Sequence, residues 1–171
     1  AAAEKTYATA SAKAEALEKS QVLYHHGEHG TEWGSVVHLL LQTAMSAPAA
    51  DLGSLARAAL SEQGLDSALA EDALATVASV TKSEIWKRAQ DSSRRMVECP
   101  FQRLVPNEGA NGPTRGTILR GVIDLAFLEE NGWVIVDYKT DRVAKERMPE
   151  LAELYRPQVI SYAEAWKQIT G

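Results

Sequence analysis

Residues 121–141 hold the densest group of side chains able to do chemistry. Asp124 on one side and Asp137 with Lys139 on the other flank the run Glu129-Glu130-Asn131-Gly132, an Asn-Gly pair between two apolar stretches that predicts a β-hairpin. With Asn131 and Gly132 as the loop, Asp124 faces Lys139 across the ladder; a four-residue turn puts Asp124 directly opposite Asp137. Both loops are even-numbered, so in either register Asp124, Asp137 and Lys139 project from one face of the sheet and Tyr138 from the other. Flanking Ile123, Leu125, Val134, Ile135 and Val136 predict partial burial of the group. Two neighbouring carboxylates repel, and desolvation raises the cost of ionising both unless a cation is present. A divalent ion answers that need, and oxygen ligands suit Mg²⁺ or Mn²⁺. A lysine beside such an ion can position or deprotonate an attacking water, or steady a developing anion. The plainer alternative is an ion pair in which Lys139 neutralises an aspartate.

The elements that must position these groups follow from periodicity. Residues 33–45 place Trp33, Val36, Val37, Leu40, Leu41 and Ala44 at helical spacing, with Pro48 closing the run. Segments 53–61, 66–80 and 82–91 carry further helical patterns, with Asp51 and Asp66 as caps and Gly64 as a break. Near Met96 the composition changes. Residues 96–105, 117–128 and 132–138 are rich in Val, Ile, Leu, Phe and Trp and read as strands. The last segment returns to helix, with Pro157 placed in the first turn of a final helix. Residues 1–22 are Ala-rich with interspersed Glu and Lys, which predicts a linker or arm helix preceding a single domain over 23–171. The expected fold class is α/β, a central mixed sheet flanked by helices, with a helical N-terminal half.

Composition narrows the function classes. The chain has 171 residues, 45% hydrophobic and 24% charged, the balance of an ordinary globular protein. One cysteine, Cys99, excludes an internal disulfide and an iron–sulfur cluster held by four thiolates, and points to a reducing, cytoplasmic compartment. No apolar run approaches the roughly 18 residues needed to span a bilayer, so no membrane partner is expected. The chain opens on alanine without a methionine and is read as a piece of a longer protein. Net charge is 18 − 23 = −5, which taken whole argues against a polyanion partner. The acidity is concentrated, however. Residues 1–81 carry four Lys/Arg against ten Asp/Glu, whereas residues 82–171 carry fourteen against thirteen. The second half could therefore present a basic surface.

Gly121-Val-Ile-Asp124, twelve intervening residues, and Asp137-Tyr-Lys-Thr-Asp141 together resemble the core of the PD-(D/E)xK nucleases. More narrowly, they resemble the nuclease domain ending the AddA and RecB subunits of bacterial recombination helicase–nucleases. Three further elements appear in the family's order: Gly34-Ser-Val-Val-His38, Glu98-Cys-Pro-Phe101 and Gln158-Val-Ile-Ser-Tyr162. The resemblance spans residues 34–166 and implies a restriction-endonuclease-like core. It also implies that His38, Asp124, Asp137 and the carbonyl of Tyr138 bind Mg²⁺ or Mn²⁺, that Lys139 is the catalytic lysine and that Glu98 lies beside the site. Gln158, Tyr162 and Arg142 would hold DNA. The implied activity is exonucleolytic hydrolysis of single-stranded DNA in double-strand break repair and recombination. The motor would be an ATP-dependent helicase upstream in the parent chain, since no Gly-x-x-x-x-Gly-Lys-Ser/Thr loop is present, and the partner an AddB-like second subunit.

Each residue also has a plainer reading. His38 in an apolar helix could be a satisfied core histidine, Glu98 an exposed strand residue, and Tyr155, Tyr162 and Trp166 a packing stripe, the reading preferred for Trp166. Cys99 reads as a small packed residue. His25, His26, Glu28 and His29 could suggest zinc, but no second ligand group stands at zinc-like spacing. At the level of function, the alternatives are a nuclease-like module that binds DNA or protein without cutting, and a metal site acting on RNA or a small phosphoester.

Overall fold

The computed structural model describes residues 8–11, 30–106, 116–141 and 143–171. The sequence-predicted arm apart from residues 8–11, the histidines of 25–29, and Arg142 lie outside the described residues. The chain divides into two compact units. One holds Ala1–Tyr24, Pro100–Ile123 and Ala144–Gly171; the other holds His25–Cys99 and Asp124–Val143.

The second unit begins with four helices: α1 (Gly30–Ser46), α2 (Leu52–Glu62), α3 (Ala70–Thr81) and α4 (Glu84–Asp91). Their starts are fixed by side chains that satisfy otherwise orphaned backbone N–H groups. Asp51 accepts from the N–H of Ser54, and Ser83 from that of Trp86. Asp66 caps a single 3₁₀ turn, Ser67–Leu69, that leads into α3. Gly64 supplies the break after α2 at φ +70°, a conformation that costs glycine little. Helices α1, α2 and α3 pack on one another around Val36, Val37, Leu40, Leu41, Ala56, Leu60 and Val77.

Three long-range strands follow: β2 (Arg95–Pro106), β3 (Gly116–Glu129) and β4 (Gly132–Val136), with β1 (Ala8–Ser11) the short strand near the N-terminus. Strand β3 lies between β2 and, on its other edge, β1 and β4. It runs parallel to β1 (Ala8↔Thr117 to Ser11↔Arg120) and antiparallel to β4 (Leu125↔Val136 to Glu129↔Gly132). The sheet is therefore mixed, as expected. Residues 8–11 depart from the expected arm helix. Four residues form too short a helix to hold itself, and the free edge of β3 gives their backbone N–H and C=O groups partners at once.

The hairpin loop is Glu130-Asn131, and Gly132 opens β4 at φ +123°. This is the register that, continued by one step, sets Asp124 opposite Asp137. Leu125, Phe127, Val134, Val136 and Tyr138 all join the helical core, leaving the opposite face of β3 and β4 to Asp124 and Asp137. Arg88 of α4 ties the hairpin to the helices with a two-pronged ion pair to Glu129, both contacts at 2.8 Å.

The first unit is built on α5 (Met148–Thr170), which buries Leu151, Gln158, Tyr162, Ala165 and Trp166. Burial of Trp166 agrees with its reading as a packing residue. Pro157 lies inside this helix rather than in its first turn, a correction to the sequence reading. Pro149 takes the early position instead, and the missing N–H of Pro157 interrupts a helix long enough to survive one lost bond. Within this unit Gly121 sits under an edge-to-face pair, Phe101 and Tyr162, whose ring centres are 5.2 Å apart. A Cβ on Gly121 would lie 2.7 Å from two Phe101 ring carbons and 3.0 Å from Tyr162 Cε1. Gly121→Ala is therefore expected to cost about 1–3 kcal/mol by overpacking, read as a lowered denaturation midpoint. A midpoint equal to wild type would show that the rings move aside freely.

Candidate active site

The site residues of the second unit are gathered by α1, β2 and the end of the hairpin. Gly34 brings α1 close to the segment after β4: a methyl there would just touch Thr140 Oγ1, at 3.4 Å. One turn later on the same face, His38 points both ring nitrogens at oxygens. Nδ1 is 3.4 Å from Asp124 Oδ1, and Nε2 is 3.1 Å from the carbonyl of Tyr138. Burial works against a charge on this imidazole. The hydrogen bond and charge of Asp124, the charge of Glu98 and the Tyr138 carbonyl outweigh it and hold the pKa above its ordinary value.

Asp124 is 7% exposed. Its Oδ2 accepts the backbone N–H of Tyr138 at 2.6 Å. Tyr138 thus serves the site through its backbone on both sides, donating to Asp124 and accepting from His38. Its ring packs against the helical core and meets the His38 ring edge-on at 6.0 Å. Burial, with the charges of Asp124 and Glu98 nearby, drives the phenol pKa far up. The hydroxyl therefore stays neutral.

Glu98 reaches the group from β2 with φ at +49°, the sole positive φ outside glycine among the described residues. This left-handed twist breaks the alternation of the strand and re-aims the side chain at a cost of about 1–2 kcal/mol. Burial first, and the charge of Asp124 second, push its carboxyl above the ordinary range. Ligand atoms of His38, Glu98 and Asp124 all lie within 4.8 Å of one another. Beside them, the Lys139 ammonium pairs with the Asp137 carboxylate, whose side chain is 5% exposed against 25% for the lysine. Burial raises the Asp137 pKa, the lysine lowers it, and Asp124 adds to the rise.

The donor set fits a small divalent ion. Oxygen and nitrogen ligands at about 2.1 Å in an octahedron stand about 3 Å apart when adjacent and about 4 Å when opposite, which matches the observed 3.1 and 3.4 Å and the 4.8 Å bound. Three clustered carboxylates, two of them with raised pKa values, also need a cation to ionise together.

Of the sequence-predicted residues, His38, Glu98, Asp124, Asp137, Tyr138 and Lys139 fall in this unit. Glu98 stands within the ligand group rather than merely beside it, and the Asp137 carboxylate is held by Lys139. Gln158 and Tyr162 fall in the first unit, both buried, and Gln158 Nε2 donates to Tyr162 Oη at 2.7 Å. Sequence reasoning missed the Tyr138 N–H as a carboxylate clamp. A backbone donor leaves no residue-type signal, and only the hairpin register could have pointed to it.

The twist at Glu98 makes a prediction. Glu98→Gly is expected to lower Mn²⁺ affinity about 10- to 100-fold while escaping the usual loss from glycine inside a strand, because glycine accepts φ +49° without strain. Titration calorimetry and denaturant unfolding read the two halves. Unchanged affinity, or a stability loss well above about 1 kcal/mol, would contradict it.

Comparison with known proteins places this geometry. An AddA-type ATP-dependent helicase/nuclease polypeptide of Heliobacterium modesticaldum is 30% identical over 157 residues, covering 81% of this chain and 11% of that protein. Its counterpart in Acetivibrio thermocellus is 36% identical over 98 residues, 52% of this chain and 8% of the relative. That of Carboxydothermus hydrogenoformans is 47% identical over 62 residues, 36% and 5% respectively. The chain thus spans about a tenth or less of the length of these relatives. No helix among the described residues is long and apolar enough to cross a membrane. The family model of the PD-(D/E)XK nuclease superfamily matches residues 5–171, taking in the mixed α/β fold, the hairpin and its carboxylates together. By that match, over nearly its whole length, the chain belongs to the PD-(D/E)XK nuclease superfamily.

Proposed function

We propose that residues 23–171 form the nuclease domain of an AddA-type helicase–nuclease. It acts in the cytoplasm as a Mg²⁺- or Mn²⁺-dependent exonuclease on single-stranded DNA in double-strand break repair and recombination. The observation that carries this reading is the convergence of His38, Glu98 and Asp124 within 4.8 Å, with Lys139 on the neighbouring Asp137. His38, Glu98, Asp124, Asp137 and the Tyr138 carbonyl would hold the ion. Bound there, a divalent cation supplies charge stabilisation to a phosphoryl group under attack and eases deprotonation of water.

The chain's own groups do the rest. The Tyr138 N–H fixes one oxygen of Asp124, so that carboxylate meets its ligand without reorganising. Lys139 carries its charge to the edge of the carboxylate cluster, where it orients an attacking water and offsets the negative charge gathering on the phosphate oxygens. Gln158 and Tyr162 support the DNA-facing part of α5 from below, and Arg142 contributes a phosphate contact. The relatives are named as ATP-dependent helicase/nuclease polypeptides, which supports a motor in the parent chain and a second, AddB-like subunit.

The test is hydrolysis of end-labelled single-stranded DNA, matched RNA and duplex DNA with Mg²⁺, with Mn²⁺ and with EDTA. Metal-dependent shortening of the single-stranded DNA from an end is expected. Cleavage of RNA alone would change the substrate class. Salt-dependent DNA binding with no cleavage in either metal would replace the enzyme by a binding module.

A further inference from the structure

Within the first unit, Arg103 is the guanidinium that the fold treats most unusually. It stands two residues beyond Phe101 on β2, and its side chain is only 16% exposed. Its Nη1 donates to Glu164 Oε2 at 2.9 Å, from one prong of the fork. Its Nε is fully buried and finds no hydrogen-bond partner. Glu164, two residues after Tyr162 on α5, is 58% exposed.

A guanidinium offers a planar fork that two oxygens of a phosphate or carboxylate fill together. Arg103 is held in place by its buried stem, but its fork is half used and one buried N–H is left without an acceptor. Such an orphan is costly in a structural ion pair and is satisfied readily by a ligand with more oxygens. The carboxylate it meets belongs to an exposed side chain, which surface pairing holds only weakly.

From this we infer that Arg103 is a backbone-phosphate site for single-stranded DNA, and that Glu164 is a stand-in carboxylate that the incoming phosphate displaces. The inference rests on the DNA-cutting reading and names a contact for it. Gln158 and Tyr162 are buried and spend polar tips on each other, whereas Glu164 can swing into solvent and free Arg103.

The experiment measures binding of a fluorescent oligo-dT to the whole domain by anisotropy in EDTA, so that cleavage does not intrude, across a salt series. Glu164→Gln is expected to tighten binding about two- to fivefold, the scale of an exposed pair. Arg103→Gln is expected to weaken it about tenfold and to lower the salt slope by about one. In the Arg103→Gln background the gain from Glu164→Gln should vanish, since a general loss of negative charge would persist there. A gain that persists, or no gain at all, overturns the inference while leaving the nuclease reading intact. Absence of any DNA binding by the wild-type domain overturns both. Because Glu164 is exposed, its variant keeps the test valid even if Arg103→Gln fails to fold.

Discussion

Asp124→Asn is expected to reduce metal-supported cleavage of single-stranded DNA about a thousandfold while leaving the domain folded and no less stable. The loss follows from the place of Asp124 in the ligand group with His38 and Glu98, and its scale is that of removing one preorganised electrostatic group. Stability should survive because an amide oxygen still accepts the Tyr138 N–H that Oδ2 now takes at 2.6 Å. The amide also removes one charge from a cluster in which Glu98 and Asp137 already have raised pKa values on account of burial and of Asp124 itself. Relief of that repulsion is worth about 1 kcal/mol of added stability. Single-turnover cleavage, calorimetric titration with Mn²⁺ and thermal unfolding would be run on the same preparation. Cleavage within tenfold of wild type, with metal binding unaltered, would remove Asp124 from the chemistry.

The second large effect concerns Lys139, and here activity and stability should fall together. Lys139→Met takes the ammonium from an Asp137 carboxylate that is 5% exposed, leaving a buried charge without its cation. Breaking such a pair costs about 3–5 kcal/mol when both partners are buried, and about 2 kcal/mol here because the lysine keeps contact with water. Cleavage should drop about a hundredfold or more, the range for a group that transfers a proton or stabilises a forming charge. The pairing variant Asp137→Asn/Lys139→Met separates the two. It leaves no unpaired charge and should recover most of the stability, yet none of the activity. If cleavage returned with stability, Lys139 would be a structural counter-ion and nothing more.

Much of this was legible in the chain. Asp51 and Asp66 announced their caps, and the Asn-Gly pair announced the hairpin. An even-numbered loop put Asp124 and Asp137 on one face whichever register held, and the structure selects the register that sets them opposite. The spacing of Gly34 and His38 also survived, with the glycine against Thr140 and the imidazole at the carboxylate.

What was not legible has physical reasons. Ala8–Ser11 carries helix-favouring alanines, and only the open edge of β3 makes it a strand. Pro157 argues against a helix interior until the length of α5 outweighs one missing donor. Nothing in Glu98-Cys-Pro100 signals a left-handed backbone, because glutamate has no preference for one; the twist is imposed by the surroundings. The burial of Gln158 and Tyr162 was equally hidden, since polar tips on a helix face read as surface until a partner such as Phe101 is known to cover them.

Tyr138 joins two matters that are usually kept apart. Its main chain grips the ligands on either side, while its ring belongs to the same apolar mass as Leu41 and Phe127. Looseness anywhere in that mass will therefore reach the ion's ligands as a change of angle before it reaches the melting curve. Heat, denaturant or a trimmed leucine in α1 should silence cutting while spectroscopy still reports a folded domain. In a machine whose blade must not fall on the wrong strand, a cutter that fails early and quietly when its frame softens is a built-in safeguard.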